Sequence, residues 1–260
     1  MTEAVRALEP AFSTERLTRH FGGLTAVREV SLAAYMGQVH AVIGPNGAGK
    51  STLVNLLSGD LAPSAGRVRL GGVDITGLPA HRISQLGVGR SYQKTNIFLP
   101  FSVFENCRLA VQSRLPSSMR FLKSASAYHE VNAAAEAALA DAGLQGRGGV
   151  AAAALSHGEQ RQLEIAMTLA TRPSVLLLLD EPLAGMGAEE SARMVALLRR
   201  LRDKHAILLI EHDMDAVFSL ADTLTVMVDG SVLESGPPEQ IRASRAVQMA
   251  YLGGEEALHA

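Results

Sequence analysis

The chain has 260 residues, of which 47% are hydrophobic and 19% are charged, a composition typical of a folded protein with a large apolar core. Its formal net charge of −2 argues against a basic surface, and we expect no nucleic-acid partner. The single cysteine, Cys107, excludes an internal disulfide and a zinc site built from cysteines. We interpret it as a small buried residue and not as a reactive thiol.

The apolar runs of the chain are short. The longest, residues 175–179, cannot cross a bilayer, and the N-terminal residues lack the apolar stretch of a signal peptide. If the protein works at a membrane, we therefore expect other chains to supply the spanning helices.

The first part of the chain predicts strands leading into one helix. Residues 1–11 predict a tail, and residues 12–43 read as short strands separated by glycine turns. The apolar run 39–43 is typical of a buried strand, and residues 51–57 predict a helix. Residues 68–70 predict a further short strand before a Gly-Gly turn.

The middle of the chain has a helical character, from about residue 94 to residue 171. The alanine-rich stretch 127–142 predicts one helix, and residues 155–170 predict a second that ends before Pro173. Before the first of these helices, residues 113–126 contain serine, proline and basic residues and predict a surface loop or arm.

Strand patterns return in the last third of the chain, at residues 175–179, 207–210 and 224–228. Helical segments follow the first two strands, which is typical of a parallel α/β sheet. The third strand is followed by Asp229-Gly230, which predicts a hairpin to residues 232–234. We therefore expect an α/β fold whose nucleotide-binding core is interrupted by a helical insertion.

A phosphate-binding loop is predicted where the strand 39–43 meets the helix 51–57. The pattern G-x-x-x-x-G-K-[ST] is met by Gly44, Pro45, Asn46, Gly47, Ala48, Gly49, Lys50 and Ser51, with Thr52 following. Glycines let backbone N–H groups converge on phosphate oxygens at the start of a helix. Lys50 is placed to reach the β- and γ-phosphates, and the Ser51 hydroxyl is placed to bind Mg²⁺. The alternative, an ordinary glycine-rich turn, does not require this strand–loop–helix context.

Two adjacent acids follow the apolar strand 175–179. At the carboxyl edge of a sheet, beside the phosphate loop, Asp180 can hold Mg²⁺ through water. Glu181 can polarise the attacking water as a general base. Alone, such a pair could simply terminate a surface turn. The phosphate loop makes the catalytic interpretation the better one.

Residues 155–160, Leu-Ser-His-Gly-Glu-Gln, predict a capped helix start and carry a family resemblance. Ser156 with Glu159 forms a capping-box pattern, and such a helix end can bind an anion. The segment resembles the ABC signature sequence, and with the two motifs above the chain is identified as similar to ABC ATPases. The resemblance implies that Ser156, Gly158 and Glu159 face the γ-phosphate of ATP bound by an opposite subunit. Without it, the segment would be an ordinary capped helix.

The resemblance implies roles for three further residues. Gln93 resembles the family's glutamine loop, which senses Mg²⁺ and the attacking water and contacts the transporter. His212 resembles the switch histidine that hydrogen-bonds the γ-phosphate, and Phe21 lies where the family places an aromatic ring against adenine. Without the resemblance they would be a surface amide, a histidine at a helix start and a core phenylalanine.

The resemblance covers about residues 12–254 as one ABC ATPase domain, with tails at 1–11 and 255–260. It implies a P-loop NTPase core with a parallel sheet, an N-terminal antiparallel β subdomain and an inserted α-helical subdomain at about 94–171. The segments 21–27, 210–214 and 250–253 resemble ATP-binding subunits of branched-chain amino acid importers. Urea and amide importers and the ATPase of lipopolysaccharide export are close relatives.

Partners and location also follow from the resemblance. It implies a second ATP-binding subunit, preferably a different chain, transmembrane permease subunits and, indirectly, a solute-binding protein. It places the chain in the cytoplasm, on the inner face of the plasma membrane. Two residues depart from the family pattern: His157 replaces the usual signature glycine, and Gly187 replaces an Asp or Asn that couples the two sites.

The apolar segment 97–104 has two interpretations. It can form part of a groove that receives a short permease helix, or it can pack within the helical insertion. We expect some of each, with Ile97 and Phe98 exposed. Two other classes of function remain: a non-transport ABC ATPase, which the lack of heptads and of a second phosphate loop disfavours, and a non-hydrolysing subunit.

Overall fold

The computed structural model describes residues 9–92, 96–115 and 128–255. Its strands are Phe12–Phe21 (β1), Leu24–Ala34 (β2), Val39–Ile43 (β3), Ala65–Leu70 (β4), Val73–Asp74 (β5), Val88–Arg90 (β6), Leu176–Asp180 (β7), Ala206–Ile210 (β8), Thr223–Val228 (β9) and Ser231–Gly236 (β10). Its helices are Lys50–Ser58 (α1), Ala80–Gln85 (α2), Val103–Gln112 (α3), His129–Asp141 (α4), His157–Ala170 (α5), Ala188–Arg202 (α6), Met214–Leu220 (α7), Pro238–Ala243 (α8) and Arg245–Glu255 (α9).

A mixed sheet forms the centre of the described part of the chain, with its strands in the order β10-β9-β3-β8-β7-β6. Every neighbouring pair is parallel except the β9–β10 hairpin, as the sequence predicts. Strands β3, β7 and β8 are buried along their whole length, which explains their uninterrupted apolar sequences. Helices connect the parallel strands, so the carboxyl ends of those strands share one edge.

The two faces of this sheet pack against different layers. Val42, Leu178 and Leu208 lie in the cluster that contains α1 and the N-terminal strands. Their chain neighbours point to the opposite face, where they meet α6 and α7. This alternation follows from the two-residue period of a strand. Because both faces of the sheet are packed, the strand ends at its carboxyl edge are held between two layers.

A second sheet, in the order β2-β1-β4-β5, contains only antiparallel pairs among the described residues. The prediction of short strands was wrong here, because β1 and β2 have 10 and 11 residues. The register of the β1–β2 pair shifts between Thr14 and His20, and Arg16 has a positive φ of 45°. Such bulges interrupt the alternation of apolar and polar residues that would reveal long strands.

Helices α3, α4 and α5 pack around their own core, which includes Val103, Leu139 and Leu163. Cys107 lies in this core with no exposed surface, and burial raises the pKa of its thiol to about 12. The interpretation as a small buried residue is confirmed. The predicted surface arm falls largely on residues 116–127, outside the described residues.

Helix α3 was missed by the sequence analysis, which treated residues 97–104 as one apolar segment. Its start carries a capping box: Ser102 Oγ accepts a hydrogen bond from the Glu105 N–H at 3.1 Å, and the Ser102 N–H donates to Glu105 Oε2 at 2.8 Å. The Ser-x-x-Glu spacing was therefore a readable signal.

Gly49 allows a matched test of the turn between β3 and α1. It has φ of 94°, and a Cβ added there would overlap the carbonyl oxygen of Ala26. We expect Gly49→Ala to lower the free energy of unfolding by at least about 2 kcal/mol. Gly47 has φ of 82° but no atom within 4 Å of such a Cβ, so Gly47→Ala should cost only about 1 kcal/mol of backbone strain. Equal losses in urea unfolding would show that the Ala26 contact is unimportant.

Candidate nucleotide site

The phosphate loop joins β3 to α1 in the predicted strand–loop–helix arrangement. Lys50 lies across the loop, where Nζ donates hydrogen bonds to the carbonyl oxygens of Gly44 at 2.6 Å and Pro45 at 3.0 Å. Partial burial lowers the pKa of Lys50, and the nearby charges of Glu181 and Asp180 oppose that change. The Lys50 ammonium group is thus held over the loop by two neutral carbonyl oxygens. The oxygens of a bound phosphate can take their place, because charged acceptors form stronger hydrogen bonds.

The rest of the loop presents backbone and hydroxyl groups. Asn46, Gly47 and Ser51 are exposed, whereas Ala48 is buried and anchors the loop. The Ala48 carbonyl accepts a hydrogen bond from the Gly230 N–H at 3.1 Å, which ties the loop to the β9–β10 turn. Thr52 lies one residue further into α1 and is half-buried. The exposed N-terminal end of α1 therefore presents groups that can bind an anion.

The two acids lie at the carboxyl end of β7. Asp180 is only 4% exposed, and burial raises the pKa of its carboxyl group. Glu181 has a positive φ of 51°, and its N–H donates to the Ile210 carbonyl oxygen at 2.9 Å. This turn directs the second carboxylate toward His212, whose Nδ1 lies 3.9 Å from Glu181 Oε1. Glu181 and His212 thus face each other across neighbouring strand ends.

Glu211, which the sequence analysis did not single out, organises these strand ends. Its side chain is buried, and Oε1 accepts from the Leu183 N–H at 2.7 Å while Oε2 accepts from the His212 N–H at 3.0 Å. Burial raises its pKa, and these hydrogen bonds together with one from the Asp213 N–H oppose the rise. One carboxylate therefore fixes both the loop after β7 and the loop that carries His212.

Arg90 was also missed, and it lies where β6 leads toward Gln93. Its guanidinium group donates to Asn55 Oδ1 at 2.7 Å and to Ser58 Oγ at 2.5 Å, and it forms an ion pair with Asp60. It also lies 4.5 Å above the centroid of the Tyr92 ring. Gln93 itself falls outside the described residues. Arg90 nevertheless connects the end of α1 to the start of that segment.

The signature segment forms the predicted helix start. Ser156 Oγ accepts from the Glu159 N–H at 3.2 Å, and the Ser156 N–H donates to Glu159 Oε2 at 3.0 Å. The predicted capping box is confirmed, although α5 begins at His157, two residues later than the predicted helix. Glu159 is also paired with Arg147 at 3.0 Å. This helix start is exposed at Ser156 and buried at Gly158.

The first departure from the family pattern, His157, contacts the loop that contains the second, Gly187. His157 Nε2 donates a hydrogen bond to the Ala184 carbonyl oxygen at 3.0 Å, because a carbonyl oxygen can only accept. A Cβ on Gly185 would lie 3.0 Å from the same nitrogen. Gly187 precedes α6 and provides no side-chain cap. In this chain the imidazole of His157 therefore contacts the loop after the acids, where a signature glycine would leave space.

Phe21 is 46% exposed, so the interpretation as a core phenylalanine is wrong. It ends β1 before the Gly22 turn, and the Arg19 guanidinium carbon lies 4.7 Å from the centroid of its ring. An exposed ring at a turn can stack on a planar base.

The segment 97–101 is divided between the core and the surface. Ile97 packs against the core of α3, α4 and α5, so its predicted exposure was wrong. Phe98, Leu99 and Phe101, here called the aromatic patch, are 53%, 45% and 42% exposed. The fully buried Asn106 holds this segment in place: it accepts from the Phe98 N–H at 2.8 Å and donates to the Phe98 carbonyl oxygen at 3.1 Å.

Among the described helices, none is both long and apolar enough to cross a membrane.

The sheet edge defines a nucleotide-hydrolysing cassette. Four neighbouring parallel strands end there, in the order β3, β8, β7 and β6. Lys50 follows β3, His212 follows β8, the acid pair lies at the end of β7, and Gln93 comes three residues after Arg90, the last residue of β6. The oxygen donors Ser51 and Asp180 are the type that Mg²⁺ prefers together with phosphate oxygens.

The chain belongs to the ABC transporter family, whose model matches residues 27–184. Residues 231–257 match a second model, described as a branched-chain amino acid ATP-binding cassette transporter. The chain is therefore an ABC ATPase, and the predicted family and α/β fold are confirmed.

Three known proteins illustrate the similarity. The branched-chain amino acid transport ATP-binding protein BraF of Pseudomonas aeruginosa is 41% identical over 94% of this chain and 98% of its own length. LivG of Escherichia coli K12, with the same description, is 38% identical over 94% and 98%. The ADP conformation of MJ1267, an ATP-binding cassette of an ABC transporter, has a TM-score of 0.84 at 27% identity, covering 94% of this chain and 99% of that one.

Proposed function

We propose that this chain hydrolyses ATP to energise an importer of branched-chain amino acids. The main support is the edge of the central sheet, where Lys50, Asp180, Glu181 and His212 lie close together at the ends of adjacent strands. The similarity to BraF and LivG over nearly the whole chain supports the class of solute. The ATP-binding subunit does not need to contact the solute, because the membrane and solute-binding components of such a system select it.

Within this proposal each residue at the edge has one task. The loop 44–52 binds the phosphates of ATP, and Lys50 neutralises the β- and γ-phosphate charge. Ser51 and Asp180 would hold Mg²⁺, with Gln93 as a further ligand, and the metal would neutralise charge at the phosphates. The pKa of Asp180 is raised by burial, and a bound cation would favour its ionised form.

Glu181 and His212 act on the hydrolytic water and the terminal phosphate. Glu181 accepts the proton of the attacking water, and His212, 64% exposed in its side chain, hydrogen-bonds the γ-phosphate. Phe21 stacks on the adenine ring. The exposed state of His212 leaves its ring accessible to a nucleotide above the sheet edge.

The second half of the site comes from another ATP-binding subunit. The capped start of α5, with Ser156, Gly158 and Glu159, is exposed at Ser156 and has the geometry of an anion site. We infer that it engages the γ-phosphate held by a partner's phosphate loop. A different chain is the preferred partner, and a second copy of this chain is the alternative.

The aromatic patch supports an association with permease subunits at the cytoplasmic face of the plasma membrane. Its rings at Phe98 and Phe101 stack with centroids 5.6 Å apart, although both are largely exposed. A groove that reaches Asn96, two residues before Phe98, has Ile83, Ala110 and Met167 among its lining residues. Exposed aromatic side chains near a partly apolar groove are typical of helix-in-groove recognition. A solute-binding protein would act through the permease.

Uptake assays test the proposal. We expect proteoliposomes that contain the chain, its partner ATPase and its permease subunits to take up leucine, isoleucine and valine when ATP is inside and the solute-binding protein is outside. Lys50→Ala should reduce uptake to background, because the phosphate loop loses its cation. Uptake of urea or short amides without leucine would replace the proposed solute, and tight, salt-sensitive DNA binding without transport would overturn the class.

A further inference from the structure

Glu190, near the start of α6, lies against the phosphate-binding end of α5. Its Oε1 accepts a hydrogen bond from Ser156 Oγ at 2.9 Å. A Cβ added to Gly158 would lie only 2.7 Å from the Glu190 carboxylate carbon, so this acid covers the first turn of α5. The contact spans 34 residues of sequence and joins two helices that follow different strands.

The chemistry of this contact resembles that of a bound phosphate. The hydrogen bond from Ser156 lowers the pKa of Glu190, and the backbone N–H groups of Gly158 and Gly187 contribute in the same direction. Glu190 is therefore ionised at neutral pH. An anion at a helix N-terminus is stabilised by the free N–H groups and the helix dipole, and a carboxylate meets these requirements as a phosphate does.

Glu190 and a γ-phosphate cannot both use Ser156. A serine hydroxyl has a single hydrogen, which here is directed to Glu190. A phosphate that approached the same helix end would also meet the carboxylate as a like charge. In our proposed function, the γ-phosphate of a partner's nucleotide binds at this helix end. In the structure that position is occupied by the Glu190 side chain.

We propose that Glu190 is an internal competitor for the phosphate-binding end of α5, and that its displacement sets the ATP concentration at which two subunits close. This inference rests on the proposed function, because it requires a nucleotide held between subunits.

The opposite role for Glu190 makes an opposite prediction. If the acid merely positioned Ser156 for catalysis, its removal would misplace the hydroxyl and weaken closure. If it competes with phosphate, its removal frees the hydroxyl and strengthens closure. The sign of the change therefore separates the two roles.

Sedimentation with MgATP measures that sign. In a Glu181→Gln parent that accumulates the closed form, alone and mixed with the partner ATP-binding subunit, we expect Glu190→Gln and Glu190→Ala to lower the half-saturating ATP concentration by about two- to tenfold. The matched control is Glu189→Gln, because Glu189 is the adjacent acid on α6 but pairs with Arg193 and is 89% exposed. It should shift that concentration less than about twofold.

The outcomes are distinct. Lower half-saturation in both Glu190 variants but not in the control supports competition. An unchanged or higher value, in a parent that does dimerise with ATP, overturns the inference and leaves the proposed function intact. A parent that stays monomeric with saturating ATP and partner defeats the proposed function and the inference together.

Discussion

Glu181→Gln is expected to bind ATP as tightly as the wild-type chain while its turnover falls by about 100- to 10,000-fold. The amide preserves the size of the side chain and the turn at the end of β7, but it cannot accept a proton from water. Closed, ATP-bound dimers should therefore accumulate. Nucleotide affinity from fluorescent ATP analogues, phosphate release and sedimentation in MgATP together measure the three expectations.

Glu189→Gln again provides the comparison, since it removes a carboxylate of the same size that lies away from the sheet edge. It should retain wild-type turnover. If purified Glu181→Gln hydrolysed ATP at the wild-type rate, another group would have to serve as the base.

Glu211→Ala should impair both stability and catalysis. The buried carboxylate accepts the N–H groups of Leu183 and His212, and a methyl group would leave these donors without an acceptor. We expect a loss of about 2 to 3 kcal/mol in the free energy of unfolding. Because His212 and the loop after β7 lose their shared anchor, turnover should fall by about 10- to 100-fold in the protein that remains folded.

Urea unfolding and turnover at saturating MgATP, measured on the same preparation, separate these two effects. Glu211→Gln is a second variant: it keeps one oxygen but turns an NH₂ group toward a backbone donor, so it should lie between wild type and Glu211→Ala. Glu239→Ala removes an exposed glutamate in the first turn of α8 and should change stability by less than about 0.5 kcal/mol. Wild-type stability of Glu211→Ala would contradict the anchoring role.

The predictable parts of the site are those encoded within a few consecutive residues. The loop 44–51 and the acids 180–181 are contiguous, and the capping box of Ser156 and Glu159 spans a single helical turn. Their local geometry follows from backbone rules that hold in any fold. The capping box of Ser102 and Glu105 was equally local, and α3 could have been predicted from it.

The unpredicted parts depend on neighbours that are distant in sequence. Glu211 matters because β7 and β8 are adjacent, which brings the Leu183 N–H to its carboxylate over 28 residues. The Glu190–Ser156 contact likewise needs two packed helices, and the Arg90–Asn55 contact needs α1 packed against β6. The length of β1 was hidden for a different reason, because its bulges break the alternation on which strand prediction depends.

The left-handed backbone of Glu181, with φ of 51°, limits which residues can replace it. Glycine adopts this conformation freely, whereas valine or isoleucine would clash with the local backbone. Glu181→Gly would therefore delete the acid and relax the turn, and it should be at least as stable as the wild-type protein. Glu181→Val should instead open the turn, so its inactivity would say nothing about proton transfer.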